Sequence, residues 1–169
     1  MSAAPIPGRI TAATEGGAVV FLIGMRINSF RALRSWWPTA RAMPRMIREL
    51  TADPDSGLLG SRIRLGLPRS IEVVQYWESH EKLLAYATAA DHLHRPAWTE
   101  FNRRARAGRD KVGIWHETYV VPAGAHEVIY LNMPPHGLAA ATGTAPIARR
   151  GNTAAERLDL RRASDRPAA

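Results

Sequence analysis

The order and periodicity of the apolar segments predict an α+β fold of the split βαβ, ferredoxin-like type. A continuous apolar strand is followed by an amphipathic helix, a pair of strands joined by a short turn, a second helical region and a further strand. The 169 residues, 46% of them hydrophobic, can form one globular domain with a substantial core. We therefore expect a β-α-β-β-α-β order with one extra strand, in which both helical regions cover the same face of an antiparallel sheet.

The first strand of this order is AVVFLIGMRIN, residues 18–28, whose continuous apolar character is typical of a central strand covered on both faces. Residues 1–17 are rich in Pro, Gly, Ala and Thr, so we expect a flexible arm before it. Arg26 and Asn28 share a face with Gly24, because side chains alternate along a strand. Arg26 is expected to form a salt bridge at the sheet edge or to bind a substrate oxygen or a haem propionate.

Residues 29–50 are predicted to form an amphipathic helix, with apolar side chains at helical spacing and arginines on the opposite stripe. Pro38 and Pro44 interrupt this pattern. Because proline lacks an amide hydrogen, we expect a break near Pro38 and a bend near Pro44. Trp37 is expected in the space between this helix and the sheet, either as a core residue or as a wall of a binding pocket.

Two strands are predicted at residues 61–67 and 71–77, joined as a hairpin. Ser79 then has the character of an N-cap for a helix over residues 80–90. Tyr86 lies within this helix and, like Trp37, is expected to be a core residue or to line a pocket.

The segment DHLHRPAW, residues 91–98, breaks this helix before another predicted over residues 97–107. His94 and Trp98 are four residues apart and would share a face on a continuous helix. A helix break above a pocket can form its mouth, which makes His94 a candidate base and Trp98 a candidate wall. The alternative is that these polar residues only cap the helix ends.

The strand VGIWHETYVV, residues 112–121, carries His116 and Glu117 on opposite faces. A neutral imidazole in an apolar pocket can take a proton from a substrate carbon or ligate haem iron. The alternative is a structural histidine bonded to a backbone carbonyl. A metal site formed by His92, His94 and His116 is a further alternative, with nonspecific spacing and no evident acidic ligand.

The last strand is predicted over residues 126–133, where Tyr130 is expected to close one end of the pocket. Residues 139–169 are rich in Ala, Thr, Gly and Arg and lack a periodic apolar face, so we expect a disordered basic tail with at most a marginal helix over residues 153–163. The folded domain is therefore predicted to span residues 18–138.

Composition limits the remaining functions. The net charge of +8 comes from scattered arginines without a nucleic-acid-binding motif, so nucleic acid is not an expected partner. The absence of cysteine excludes disulfides and thiolate chemistry and is consistent with a cytoplasmic protein. No apolar run is long enough to span a bilayer, so no membrane association is expected.

The predicted sheet has too few polar positions for a face exposed to water. Its strands VVFLIGM, IEVVQYW and WHETYVV carry apolar residues on both alternations. Because a large exposed apolar face is uncommon on a monomer, we expect a homodimer that packs the sheet faces opposite the helices against each other.

Several ordered segments resemble the dimeric α+β barrel proteins, which include the antibiotic-biosynthesis monooxygenases. More specifically, they resemble a small family related to a monooxygenase of fumagillin biosynthesis, of which some members are labelled phenylacetaldoxime dehydratase. The similarity covers about residues 18–140 and is carried by RAMPRMIREL (41–50), QYWESHEKLLAYATAADHLHRPAWTEFNRR (75–104), VGIWHETYVV (112–121) and VIYLNMPPHGL (128–138).

This resemblance implies a monooxygenase that oxidises a bulky apolar small molecule, such as a natural-product intermediate, with molecular oxygen and without a required cofactor. His116 or His94 would act as the base, and Asn28 or Arg26 as the polar anchor. The aromatic walls of the pocket would be Trp37, Tyr86, Trp98 and Tyr130.

Two alternatives stay open. The resemblance also permits a haem enzyme of the aldoxime dehydratase or peroxidative type, with His116 or His94 as the axial ligand. A protein of another class, which binds a hydrophobic ligand or responds to stress without catalysis, could use the same apolar pocket.

Overall fold

The structure is a computed structural model that describes residues 3–89 and 111–158. The chain divides into two compact units, of which one comprises Met1–Val19 with Val120–Ala169 and the other Val20–Tyr119. The predicted helix over residues 97–107 lies outside the described residues.

The strands are β1 (Ile6–Ala12), β2 (Ala18–Ile27), β3 (Leu58–Gly66), β4 (Ser70–Trp77), β5 (Val112–Val121), β6 (Tyr130–Met133) and β7 (Thr144–Pro146). The described helices are α1 (Leu33–Ala52), α2 (His80–Thr88), α3 (Gly137–Thr142) and α4 (Ala154–Arg157), with a short 3₁₀ helix at Ile147–Arg149.

The unit Val20–Tyr119 is built on a four-stranded sheet with the order β3-β4-β2-β5. This order is the second, third, first and fourth strand of a split βαβ unit, so the predicted ferredoxin-like fold is confirmed. The predicted hairpin is present as the antiparallel pair β3 and β4, in which Ile63 lies opposite Val73. The interior of this unit centres on β4, where Trp77 is 0% and Val73 1% exposed.

The helices begin and end largely where the sequence predicts. The backbone N–H of Lys82 donates to Ser79 Oγ over 3.3 Å, so Ser79 caps α2. Helix α1 runs without a break through Pro38 and Pro44, and the prediction of a break at Pro38 is therefore wrong. The two lost amide donors are tolerated because the apolar face of α1 is packed, with Met46 and Leu50 buried.

Strand β5 lies at the edge of the sheet, next to β2. Most of its side chains are exposed despite their apolar character, among them Trp115 and Tyr119. Trp115 contacts Gly24 on β2, whereas His116 contacts Phe21, so the two faces of β5 differ as the strand alternation predicts.

The other unit contains a three-stranded sheet with the order β6-β1-β7, in which β1 is antiparallel to both neighbours. Residues 6–12 are therefore a central strand, and the prediction of a flexible arm over 1–17 is wrong for them. The prediction of a disordered tail over 139–169 is likewise wrong for residues 144–146, which form β7, whereas the short helix α4 lies within the range 153–163 where a marginal helix was expected. The sequence does not predict β1 and β7 because each of these strands pairs with a distant segment of the chain. Ile10 of β1 lies opposite Tyr130 on one side and Pro146 on the other.

An ion pair joins the C-terminal segment to the rest of this unit. Arg157 is 7% exposed and donates from Nε to Glu127 Oε1 over 2.7 Å and from Nη1 to the Gly151 carbonyl over 3.0 Å. A capping box between Thr153 and Glu156 begins the short helix that carries Arg157. In residues 3–89 and 111–158, no helix is both long and apolar enough to cross a membrane.

Candidate functional site

A cavity lies between α1, α2 and the four-stranded sheet, so both helices cover the same face as predicted. Its volume, measured as the space open to the centre of a water-sized sphere, is about 30 Å³, which is room for one or two water molecules. The sheet contributes Phe21, Ile23, Gln75 and Trp77, and the helices contribute Met43, Met46, Leu50, Leu83, Tyr86 and Ala87.

Gln75 is the buried amide in this lining, with 4% of its surface exposed. Its Oε1 accepts a hydrogen bond of 2.9 Å from Trp77 Nε1. Because an indole nitrogen can only donate, this bond determines which end of the amide is oxygen. The amide nitrogen therefore forms the other end of the side chain, and it donates to no atom of the described residues.

Tyr86 lines the cavity, as predicted, and is 7% exposed. Its hydroxyl donates to Glu49 Oε2 over 3.2 Å. Burial, the negative charge of Glu49 and this hydrogen bond together raise the pKa of Tyr86 well above its ordinary value. Tyr86 therefore stays neutral at physiological pH and holds its hydrogen on Glu49.

Gln75 and Glu49 were not among the residues singled out from the sequence, although signals for both were present. Gln75 is the only glutamine of the chain and occupies an inward position of β4 between Val73 and Trp77. Glu49 is the only acidic residue among the arginines of residues 29–50. A polar group at a core position of a strand, or a lone acid on a basic helix, points to a specific partner.

His116 lies on the helix-facing side of β5, where its ring contacts Phe21 with the ring centroids 5.8 Å apart. Phe21 lines the cavity, but His116 itself is exposed and does not. The structure thus places the predicted base one side chain away from the cavity.

Arg26 and Asn28 do not reach the cavity. Arg26 is exposed on β2, and Asn28 is exposed immediately after that strand. The backbone carbonyl of Asn28 accepts a hydrogen bond of 3.0 Å from Arg69 Nη1. The backbone N–H of Asn28 donates to the Lys111 carbonyl over 2.9 Å. These backbone bonds hold the end of β2 between neighbouring segments.

The expectation that Trp37 lines the space between helix and sheet is wrong. Trp37 is 49% exposed, packs edge-on against Trp36, and lies under the guanidinium of Arg41. The inward face of α1 contains Met46, nine residues further on. At 3.6 residues per turn this separation is two and a half turns, which puts Trp37 on the opposite side of the helix.

Tyr130 belongs to β6 and thus to the other unit, where its ring packs edge-on against His136. His94 and Trp98 lie outside the described residues. Where the structure describes the chain, no group of three His, Cys, Asp or Glu side chains is close enough together to hold a metal ion.

Residues 18–138 match the family described as Monooxygenase af470-like. The chain belongs to this family. The family inferred from the resemblance of the sequence segments is thereby confirmed. No curated protein matches this chain in sequence.

Crystal structures of aldoxime dehydratases resemble the af470-like chain in fold. One, in complex with butyraldoxime, is 16% identical with a TM-score of 0.60, and the match covers 85% of this chain and 43% of the dehydratase. Another is 21% identical with a TM-score of 0.61, over 86% of this chain and 46% of the dehydratase. The chain thus spans less than half the length of these proteins, and at such identities the likeness is one of fold.

Proposed function

We propose that this member of the af470-like monooxygenase family oxidises a small apolar molecule in the cavity between α1, α2 and the sheet. The observation that supports the proposal is the cavity itself, whose lining lies within the residues matched by the family. Apart from Gln75, Trp77 and Tyr86 the lining residues are apolar. An apolar pocket with a few placed polar groups is the usual form of a small-molecule site.

Substrate binding requires this lining to move. The present volume of about 30 Å³ is well below the roughly 300–1,000 Å³ of typical ligand sites. Met43 and Met46 are the adaptable part of the wall, because thioether side chains are flexible and fill irregular spaces. Met43 directly precedes Pro44 and Met46 lies two residues after it, at the point where α1 lacks an amide donor.

In the proposed reaction a base removes a proton from an acidic methylene carbon of the substrate, and the resulting carbanion gives electrons to molecular oxygen. One oxygen atom forms a carbonyl with that carbon, and the other leaves as water with the two hydrogens of the methylene group. The substrate supplies all the electrons, so the balance needs no external reductant.

His116 is the proposed base, because an imidazole can accept a proton near neutral pH. Its ring contacts Phe21 at the cavity wall, so His116 reaches the substrate when Phe21 moves with the rest of the lining. His94 is the alternative base. Arg26 and Asn28, which lie away from the cavity lining, have no role in this proposal.

The test is oxygen uptake by the full-length protein with a panel of apolar ketones that carry an acidic methylene group. Isotopically labelled oxygen should appear as a single atom in the product. His116→Gln is expected to lower turnover by about 10²–10⁴-fold with unchanged thermal unfolding. His80→Gln, at an exposed histidine of α2, is the control. Unchanged turnover in His116→Gln would remove His116 from the mechanism, and ligand binding without oxygen uptake would favour a non-enzymatic binding protein.

A haem-dependent lyase is the second candidate, because two of the structures of similar fold are aldoxime dehydratases. The described residues do not fit haem in this cavity, because no described histidine lines it and could serve there as the axial ligand. We therefore derive no step through haem. A haemin titration of the purified protein decides the matter, because a Soret band that saturates at one haem per chain would support the lyase and its absence would exclude it.

A further inference from the structure

Three of the described cavity-lining side chains carry polar atoms, and two of them have their hydrogen engaged. Trp77 Nε1 donates to Gln75 Oε1, and the Tyr86 hydroxyl donates to Glu49. The amide nitrogen of Gln75 is the donor that remains. Among the described lining residues, it is the group that can give a hydrogen bond to a ligand.

The orientation of this donor is fixed by its surroundings. Trp77 is 0% exposed and Gln75 4% exposed, so neither side chain can turn out into solvent. An amide that flipped would point its nitrogen at the indole N–H and lose the 2.9 Å bond. The cavity has room for a water molecule, which would bond to the amide when no ligand is present.

We propose that Gln75 binds a hydrogen-bond-accepting oxygen of the ligand, and that the ligand class is therefore apolar molecules with a carbonyl or enolate oxygen. This inference rests on the proposed use of the cavity as the substrate site. Removal of a proton next to a carbonyl moves negative charge onto the carbonyl oxygen. A rigid amide donor at that oxygen stabilises the charge as it develops, because no reorganisation is needed.

The test uses two probes of the same shape, acetophenone and α-methylstyrene. In α-methylstyrene a methylene group replaces the carbonyl oxygen of acetophenone. Their dissociation constants are measured by NMR titration of the full-length protein. The wild type is expected to bind acetophenone about two- to tenfold more tightly, as one neutral hydrogen bond contributes. Because the chain has a single glutamine, its side-chain amide signal can be assigned by its loss in Gln75→Met and should shift with acetophenone.

Gln75→Met keeps the length of the side chain and removes the amide donor, so the preference for acetophenone should fall while α-methylstyrene binds as before. Because this substitution also frees the Trp77 N–H, it is compared with a variant that keeps the acceptor. Gln75→Glu keeps an acceptor for Trp77 Nε1 and should weaken acetophenone selectively, because two oxygens would face each other. If Gln75→Met does not fold, the wild-type amide shift and the Gln75→Glu protein decide the question.

Two failures are distinguishable. Equal affinity of the wild type for both probes, or a preference that survives in Gln75→Glu at a pH where its carboxyl is ionised, would overturn the role of Gln75 and leave the apolar site standing. If neither probe binds, the cavity is not a ligand site, and the inference fails together with the proposed function.

Discussion

The indole of Trp115 lies directly against Gly24 on the neighbouring strand. A Cβ added at position 24 would come within 2.6 Å of both Cε2 and Nε1 of Trp115, closer than real Cβ atoms approach other atoms. Glycine is therefore required at this position of β2 for the indole to cover the backbone.

Gly24→Ala is expected to push Trp115 away from the sheet and to lower the free energy of unfolding by about 1–3 kcal/mol, the usual effect of overpacking. Urea denaturation measures the change. Gly113→Ala is the matched control on β5, because its added Cβ would lie 3.9 Å from Arg26 and Asn28, an ordinary contact. An equal effect of both substitutions would show that the contact with Trp115 is not the cause.

The face of the sheet opposite the helices is expected to form a homodimer interface. Trp115 and Tyr119 are 37% and 50% exposed on β5, on the side away from His116. A lysine in place of Trp115 would put a charge into an apolar interface, so Trp115→Lys should give a monomer by light scattering. Trp37→Lys, at a tryptophan of α1 that is 49% exposed, should leave the dimer intact. A monodisperse wild-type monomer at micromolar concentration would contradict the dimer.

The hydrogen bond from Tyr86 to Glu49 should make stability sensitive to alkaline pH. The pKa of Tyr86 is raised in the folded protein by burial and by Glu49, so the folded state holds this proton more tightly than the unfolded state. The contribution of the protonated Tyr86 hydroxyl to the free energy of unfolding is complete below the ordinary tyrosine pKa of 10.0. It is lost as the pH rises above that value.

Tyr86→Phe is therefore expected to lower the free energy of unfolding by about 1–3 kcal/mol near pH 8 and to flatten its fall between about pH 8 and 11. Denaturant unfolding at the two pH values measures both effects. Tyr119→Phe is the control, since Tyr119 donates to Glu117 over 2.6 Å but is half exposed, and it should change stability little near pH 8. An unchanged alkaline slope in Tyr86→Phe would show that another group dominates.

His126 should make the other unit sensitive to acid. Both of its ring nitrogens are buried and have no hydrogen-bond partner among the described residues. Burial and the positive charge of Arg150 lower its pKa, and a weaker influence of the Thr14 carbonyl opposes them. Arg150 itself donates to that carbonyl over 2.6 Å. The folded state therefore favours the neutral imidazole.

With a lowered folded pKa, the unfolded chain takes up the proton first, so stability should fall as the pH drops below the ordinary histidine pKa of 6.5. His126→Leu should lose less of its free energy of unfolding than the wild type between about pH 7.5 and pH 5. His80→Leu, at a half-exposed histidine, should behave as the wild type does. If His126→Leu and the wild type lose the same free energy of unfolding as the pH falls, His126 is excluded as the cause.

Local sequence patterns were sufficient for the elements whose partners lie nearby in the chain. The limits of β5 agree with the predicted strand, and the hairpin of β3 and β4 and the cap at Ser79 were recognised because their signals occupy a few adjacent residues. The family was likewise recognisable, since its segments are long and follow one another in order. In β1, by contrast, the signal was obscured by Pro5, Pro7 and Gly8, and the pairing that makes it a strand lies more than a hundred residues away.

The sequence by itself determined the order of the strands and helices in the unit Val20–Tyr119, the apolar character of both faces of its sheet and the presence of Tyr86 at an inward position. The tertiary structure alone decided that Gln75 has its oxygen on Trp77, that Tyr86 donates to Glu49, and that Phe21 separates His116 from the cavity. The physical reason is that periodicity specifies which face of an element a side chain occupies. Which atoms on that face meet depends on how separate elements pack, and no local pattern in the chain records that.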